Sequence, residues 1–141
     1  MSDPLILLHI KLVHFPIALF VSALVLDVLS RIFHRDNLHT AAVVVYVGAA
    51  VFTPVVLGTG LFEKARLHLN HPVLAHHELC ASITMWFALL SLPVLLILKK
   101  RSTAAFRAIF TLVLVVAAGT VVVTGYYGGS LVYEYGVGVS R

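Results

Sequence analysis

Residues 12–33 read LVHFPIALFVSALVLDVLSRIF, and this stretch decides the class of the fold. An apolar segment of about 20 residues is long enough to cross the hydrocarbon core of a bilayer as a helix. The run holds few ionisable side chains, of which His14 stands near its beginning and Asp27 nearer its end. An ionisable group at such a depth is unfavourable unless it has a partner, so His14 marks a candidate functional site.

The composition of the whole chain agrees with a membrane protein. The chain has 141 residues, of which 60% are hydrophobic and only 11% are charged, whereas about a quarter of the residues in a soluble domain are charged. The formal charge of +4 does not indicate nucleic-acid binding, because the bases lie at the ends of apolar runs and form no basic face with interleaved aromatics. Cys80 is the only cysteine, which excludes an intrachain disulfide.

Three further apolar runs cover residues 41–62, 79–98 and 106–127. None of them alternates with a period of two, so helices are favoured over strands. Short connections make neighbouring helices antiparallel. The sequence therefore predicts an all-α membrane protein, in which residues 1–141 form one domain folded as an up-down four-helix transmembrane bundle.

The tail that begins at Gly125 is rich in glycine and tyrosine. It also holds the apolar residues Leu131, Val132 and Val137, which a flexible linker would not carry. We therefore expect the tail to form an ordered C-terminal cap over one end of the bundle.

The distribution of bases predicts the orientation. The first and third loops hold six of the ten Lys and Arg residues, including the compact group 99–101. Because cytoplasmic loops carry the excess of bases, we expect a multi-pass protein of the cytoplasmic membrane with both termini on the outer, periplasmic side. Only two of the eight histidines, His34 and His39, then fall on the inner side. The outer-side histidines are His9, His14, His68, His71, His76 and His77.

The third helix singles out His77. At helical spacing, His76 begins a larger, lipid-like face, whereas His77 begins a face of small side chains. These small side chains are Cys80, Ala81, Thr84, Ala88 and Ser91. Such a seam indicates either close helix packing or a slot for a flat cofactor. His14 and His77 enter the bundle from the same side on parallel helices, which is the geometry that a bis-histidine haem needs.

Three motifs make the chain resemble a known family: residues 13–19 (VHFPIAL), the His77-Glu78 pair, and residues 128–139 (GGSLVYEYGVGV). With them the chain is similar, over nearly its whole length, to the bacterial and archaeal membrane proteins grouped as domain-of-unknown-function family 2231. The resemblance implies a four-helix domain in the inner membrane of a prokaryote and a cytochrome c-like or Rieske-like redox partner. The site positions that it implies are His14, Asp27 and His77. Relatives often have histidine where this chain has Tyr135, which puts a ligand from the tail in doubt.

The leading hypothesis is a small b-type cytochrome. Haem b would lie between His14 and His77 near the outer face and would carry electrons between membrane quinol and an outer-side partner. Glu78 or a backbone carbonyl would orient His77 through its second ring nitrogen. The candidate partners of the haem propionates are His9, Lys11, His71 and Arg66.

Two alternatives stay open. A copper or zinc ion at the outer rim would be bound by imidazole and thiolate groups, the candidates being His14, His76, His77 and Cys80. A structural or assembly subunit of a larger membrane complex would need no cofactor. A self-contained enzyme is not indicated, because no nucleophile–base pair is visible. Asp27 is either a proton-relay group or the partner of Arg31, one helical turn away.

Overall fold

The structure is a computed structural model that describes residues 9–68, 70–101 and 103–137. These residues form four long helices: α1 (His14–Ile32), α2 (Asp36–Leu67), α3 (Pro72–Arg101) and α4 (Thr103–Tyr133). All four are long enough and apolar enough to cross a membrane, α1 together with the helical residues just before it. The prediction of an all-α four-helix membrane bundle is confirmed.

Most of the helices extend beyond the apolar runs that predicted them. The longest, α2, begins at Asp36 and ends at Leu67, and α4 continues through the glycines of the tail to Tyr133. At 1.5 Å per residue such helices are roughly 45 Å long, which exceeds the hydrocarbon thickness of about 30 Å. Hydropathy marks only the part of each helix that lies in hydrocarbon, and nothing in the flanking polar residues stops the helix there.

The four helices pack as a closed ring. Helix α1 packs against α2 and α4, and α3 packs against the same two helices, so α1 and α3 lie diagonally across the bundle. Of the four neighbouring pairs, α2 and α3 pack least closely. The ring therefore has one loose seam, between α2 and α3.

Tyr46 on α2 holds the centre of the bundle. Its ring lies 5.6 Å from that of Phe20 on α1 and 5.7 Å from that of Phe110 on α4, between ring centroids. Its hydroxyl is hydrogen-bonded to Ser91 Oγ on α3 at 2.7 Å. One fully buried side chain thus contacts all three other helices.

Asp27 is fully buried near one end of the bundle and joins three helices there. Its Oδ1 accepts a hydrogen bond from Nδ1 of His39 on α2 at 2.7 Å, and its Oδ2 accepts one from Oγ1 of Thr111 on α4 at 2.6 Å. Arg31 Nε lies 3.5 Å from Oδ2, so the ion pair considered from the sequence is present. His39, an inner-side histidine without an assigned role, is the partner that the sequence did not indicate. We call this end the Asp27 end.

The opposite end holds the α2–α3 connection and the C-terminal tail. After α4 the chain turns back at Gly136, which has φ of +64°, and Val137 N–H donates to the carbonyl of Leu131 at 2.9 Å. Such a turn with a left-handed glycine is a common way to end a helix. The Tyr135 ring then lies 4.3 Å from the His71 ring, next to α3. The expected cap is therefore helical as far as Tyr133 and folds over this end only from there; residues 138–141 lie outside the described residues.

We expect Asp27→Ala to lower the free energy of unfolding by about 2–4 kcal/mol, because it leaves the buried Nδ1–H of His39 without its acceptor and removes the carboxylate that joins α1 to α2 and α4. Asp36→Ala is the matched control. Its carboxylate also pairs with an arginine, Arg107, but it is 85% exposed, so a loss of only about 0.5 kcal/mol is expected. Unfolding of the purified protein in detergent, followed by circular dichroism, measures both. Equal losses would contradict a special role for the buried carboxylate.

Candidate functional site

A cavity of about 460 Å³ lies between the helices at the end opposite Asp27, which we call the cavity end. Residues from all four helices and from the segment before α1 line it. Its volume is in the range of small-molecule sites. Most of the wall is apolar, formed by residues such as Val13, Ile17, Val56, Leu57, Val121 and Leu131.

Three histidines line this cavity: His9, His14 and His77. The structure thus brings together the two histidines that the sequence analysis paired, His14 on α1 and His77 on α3. His9 precedes α1, and its ring is close enough to His77 for the two to interact electrostatically. Imidazole rings are therefore the main groups in the cavity wall that can bind a ligand.

The ring of His77 is held by the backbone of α4. Its Nδ1–H donates to the carbonyl oxygen of Thr124 at 2.9 Å. The approach depends on Gly128, because a Cβ at that position would lie 3.2 Å from Cε1 of His77. In the neutral ring a protonated Nδ1 leaves a lone pair on Nε2, and no described residue donates to that nitrogen. A backbone carbonyl, and not Glu78, therefore orients the His77 ring. This is one of the two arrangements that the sequence predicted.

The ring of His9 is held in a similar way by α2. Its Nδ1 lies 3.0 Å from Thr59 Oγ1. The Thr59 hydroxyl already donates to the carbonyl of Val56, so it serves His9 as an acceptor. A Cβ on Gly60 would lie only 2.7 Å from Cε1 of His9. Each of these two rings thus lies against a glycine of a neighbouring helix.

His14 is the most accessible of the three rings. It stands in the first turn of α1, is exposed, and has no hydrogen-bond partner in the described part of the chain. Both of its ring nitrogens are therefore available to a ligand in the cavity.

An ion pair crosses the loose seam at the cavity wall. Lys64 Nζ on α2 lies 2.7 Å from Glu78 Oε2 on α3. The other carboxylate oxygen, Oε1, is buried and accepts no hydrogen bond from the described residues. Glu78 therefore does not orient His77, although the two are adjacent in sequence. Lys64 was missed by the sequence analysis, because only the relative placement of α2 and α3 shows that it faces Glu78.

Other predicted site residues lie elsewhere. His76 is exposed and stacks on the Tyr127 ring with 5.7 Å between centroids. Cys80 faces a separate apolar groove between α3 and α4. His71 packs on Tyr135, and Arg66 is exposed; neither lines the cavity. Lys11 is also exposed and does not line it.

The structure does not assemble the proposed copper or zinc site. His76 and Cys80 lie outside the cavity that His14 and His77 line. Within residues 9–68, 70–101 and 103–137, no three His, Cys, Asp or Glu side chains are grouped closely enough to hold a metal ion.

Asp27 does not line the cavity and is not among the candidate copper or zinc ligands. It lies on the same helix as His14 but about 20 Å further along the axis, at 1.5 Å per residue. Its carboxylate is occupied by His39, Thr111 and Arg31. The site position implied by the family resemblance is therefore a polar contact between helices at the far end of the bundle.

Comparison with known proteins gives one match. The profile of a family described as predicted membrane protein (DUF2231) matches residues 6–141. No curated protein and no solved structure matches the chain.

We expect Gly128→Ala to displace the His77 ring and weaken its hydrogen bond to Thr124, because the new methyl group would lie 3.2 Å from Cε1. Gly129→Ala is the matched control on the same helix, since a Cβ there has no neighbour within 4 Å. Nitrogen-15 chemical shifts of the histidine rings in the purified protein measure the change. Identical His77 shifts in the two variants would contradict the packing of His77 against Gly128.

Proposed function

The chain belongs to the DUF2231 family of membrane proteins, and on that premise we propose that it is a small b-type cytochrome. The cavity would hold one haem b, bound by His77 and His14. Its role is to carry electrons between quinol in a prokaryotic cytoplasmic membrane and a redox partner, cytochrome c-like or Rieske-like, on the outer side. The cavity end faces that outer side, in agreement with the distribution of bases.

The observation that carries the proposal is the state of His77. A histidine that binds a metal through one ring nitrogen usually donates a hydrogen bond from the other, often to a backbone carbonyl. The Nδ1–H bond to Thr124 is of this kind, and it leaves Nε2 as the coordinating atom. The ring also lines the cavity and so reaches whatever occupies it.

His14 supplies the second ligand. Helices α1 and α3 lie diagonally across the ring and run in the same direction, so ligands near their cavity ends approach an iron from opposite sides. A bis-histidine haem needs one imidazole on each face of the macrocycle. His14 is exposed, and a bound macrocycle would cover it.

The walls of the cavity suit an apolar, flat group. Small residues from two helices, Ala81, Gly125, Gly128 and Gly129, line it and let backbone approach closely. Among the propionate partners considered, only His9 lines the cavity, and its Thr59 contact leaves one ring nitrogen available. We assign the propionate contact to His9 as the imidazolium, in which Nδ1–H donates to Thr59 and Nε2–H donates to the propionate. His71 and Arg66 lie outside the cavity.

When bound, haem iron would supply a one-electron carrier. The chain contributes the ligand geometry and the apolar surroundings. Val56, Val121 and Leu131 exclude water from the cavity wall. Thr124 keeps His77 in the tautomer that coordinates.

We expect the protein, purified after expression with adequate haem supply, to show a Soret band and a b-type reduced-minus-oxidised spectrum. His77→Ala and His14→Ala should each reduce haem content at least about tenfold, because each removes an axial ligand. His76→Ala is the matched control, since this neighbouring histidine faces Tyr127 and not the cavity. Circular dichroism reports whether each variant keeps its helices.

Two results would overturn the proposal. One is a wild-type protein that stays colourless although it is folded and haem is supplied. The other is unchanged haem content in both His14→Ala and His77→Ala. Loss of haem in His76→Ala alone would equally contradict the ligand assignment.

A further inference from the structure

A buried oxygen atom of Glu78, in the cavity wall, lacks the partner that its chemistry requires. Glu78 Oε2 is paired with Lys64 at 2.7 Å, but Glu78 Oε1 is buried and accepts no hydrogen bond from the described residues. A carboxylate oxygen removed from water is stable only with a hydrogen-bond donor. The missing hydrogen-bond donor therefore indicates which chemical group a ligand at this site would carry.

That ligand must carry a donor such as a hydroxyl group on an apolar body. Glu78 lines the cavity at the α2–α3 seam together with Leu61 and Leu74, so most of the surface of a ligand at the seam would contact apolar side chains. The haem of the proposed function does not meet the requirement of Glu78, because ionised propionates accept hydrogen bonds and donate none. The partner of Oε1 is thus a second molecule.

The position of Glu78 indicates where that molecule enters. Glu78 and Lys64 lie on either side of the seam between α2 and α3, the least closely packed pair of neighbouring helices. Leu61 on α2 and Leu74 on α3 line the cavity beside them, and Leu61 is 47% exposed on the outer surface of the bundle. A molecule dissolved in the membrane reaches Glu78 through this seam without crossing water.

We propose that the seam between α2 and α3 is the docking site of the quinol, with Glu78 Oε1 accepting a hydrogen bond from a quinol hydroxyl. The choice of quinol rests on the proposed function, whereas the need for a hydroxyl donor on an apolar molecule rests on Glu78 alone. Long-chain alcohols share this chemistry, and the experiment separates the two sources.

The test compares duroquinol with its dimethyl ether, which has the same ring and no donor. Binding of both to the purified protein is measured anaerobically by calorimetry. The wild type should bind duroquinol at least about tenfold more tightly than the ether, the effect of one hydrogen bond to a charged acceptor. The ratio should fall to about one in the double variant Lys64→Met/Glu78→Leu, which removes both charges together.

Two further variants and one further pair of ligands complete the design. Glu78→Gln keeps an acceptor oxygen and should retain part of the discrimination. Glu134→Leu removes an exposed carboxylate of the tail that does not line the cavity and should retain all of it. Dodecanol and its methyl ether form the second ligand pair, and the wild type should distinguish them less than the duroquinol pair.

Equal affinities of the wild type for duroquinol and its ether, or no binding of either, would overturn the inference. Stronger discrimination in the dodecanol pair would overturn the assignment to quinol. A protein without haem that still discriminates through Glu78 would contradict the cytochrome proposal but support the hydroxyl site. A protein with haem and no discrimination would contradict the docking site alone.

Discussion

Every polar group that enters a bilayer has to find its partner inside the protein. The Asp27 end meets this constraint completely: the buried carboxylate of Asp27 accepts from His39 and Thr111 and lies beside Arg31. Further along, Tyr46 and Ser91 satisfy each other at the centre of the bundle. The cavity end does not meet it, because Nε2 of His77 and Oε1 of Glu78 receive no hydrogen bond from the described residues. The two ends of the bundle therefore differ: polar side chains pair across helices at the Asp27 end, whereas the cavity end presents polar atoms without a partner among the described residues.

The sequence predicted the helices well because the bilayer imposes one simple rule, an apolar run of sufficient length. It also predicted that His14 and His77 lie at the same end of the bundle, and both line the cavity there. It could not predict the helix lengths, because the flanking polar residues continue the helix outside the hydrocarbon. The extensions of α2 and α4 carry Lys64 and Gly128 to the site.

Contacts between helices were harder to predict than the helices themselves. His76 and Cys80 do share a face of α3, as their spacing indicates, but this helix is apolar on all sides and no polar face fixes its rotation. The structure turns that face away from the cavity, towards Tyr127 and the groove beside α4. The pairs Asp27–His39 and Lys64–Glu78 could not be predicted for the same reason, because each depends on how two helices are rotated relative to each other.

Contacts with helices, and not with loops, fix the positions of the His9 and His77 rings. His9 lies against Gly60 of α2 and His77 against Gly128 of α4, at distances that no other residue type would allow without a shift. A ring fixed by helix backbone moves only when helices move, so the geometry of the cavity is set by the packing of the whole bundle. The closed contacts of Asp27 and Tyr46 hold that packing. The α2–α3 seam, joined at the cavity by the Lys64–Glu78 pair, is the least closely packed of the four contacts between neighbouring helices, so it is the place where the bundle can open with least disturbance of the His77 ring held by α4.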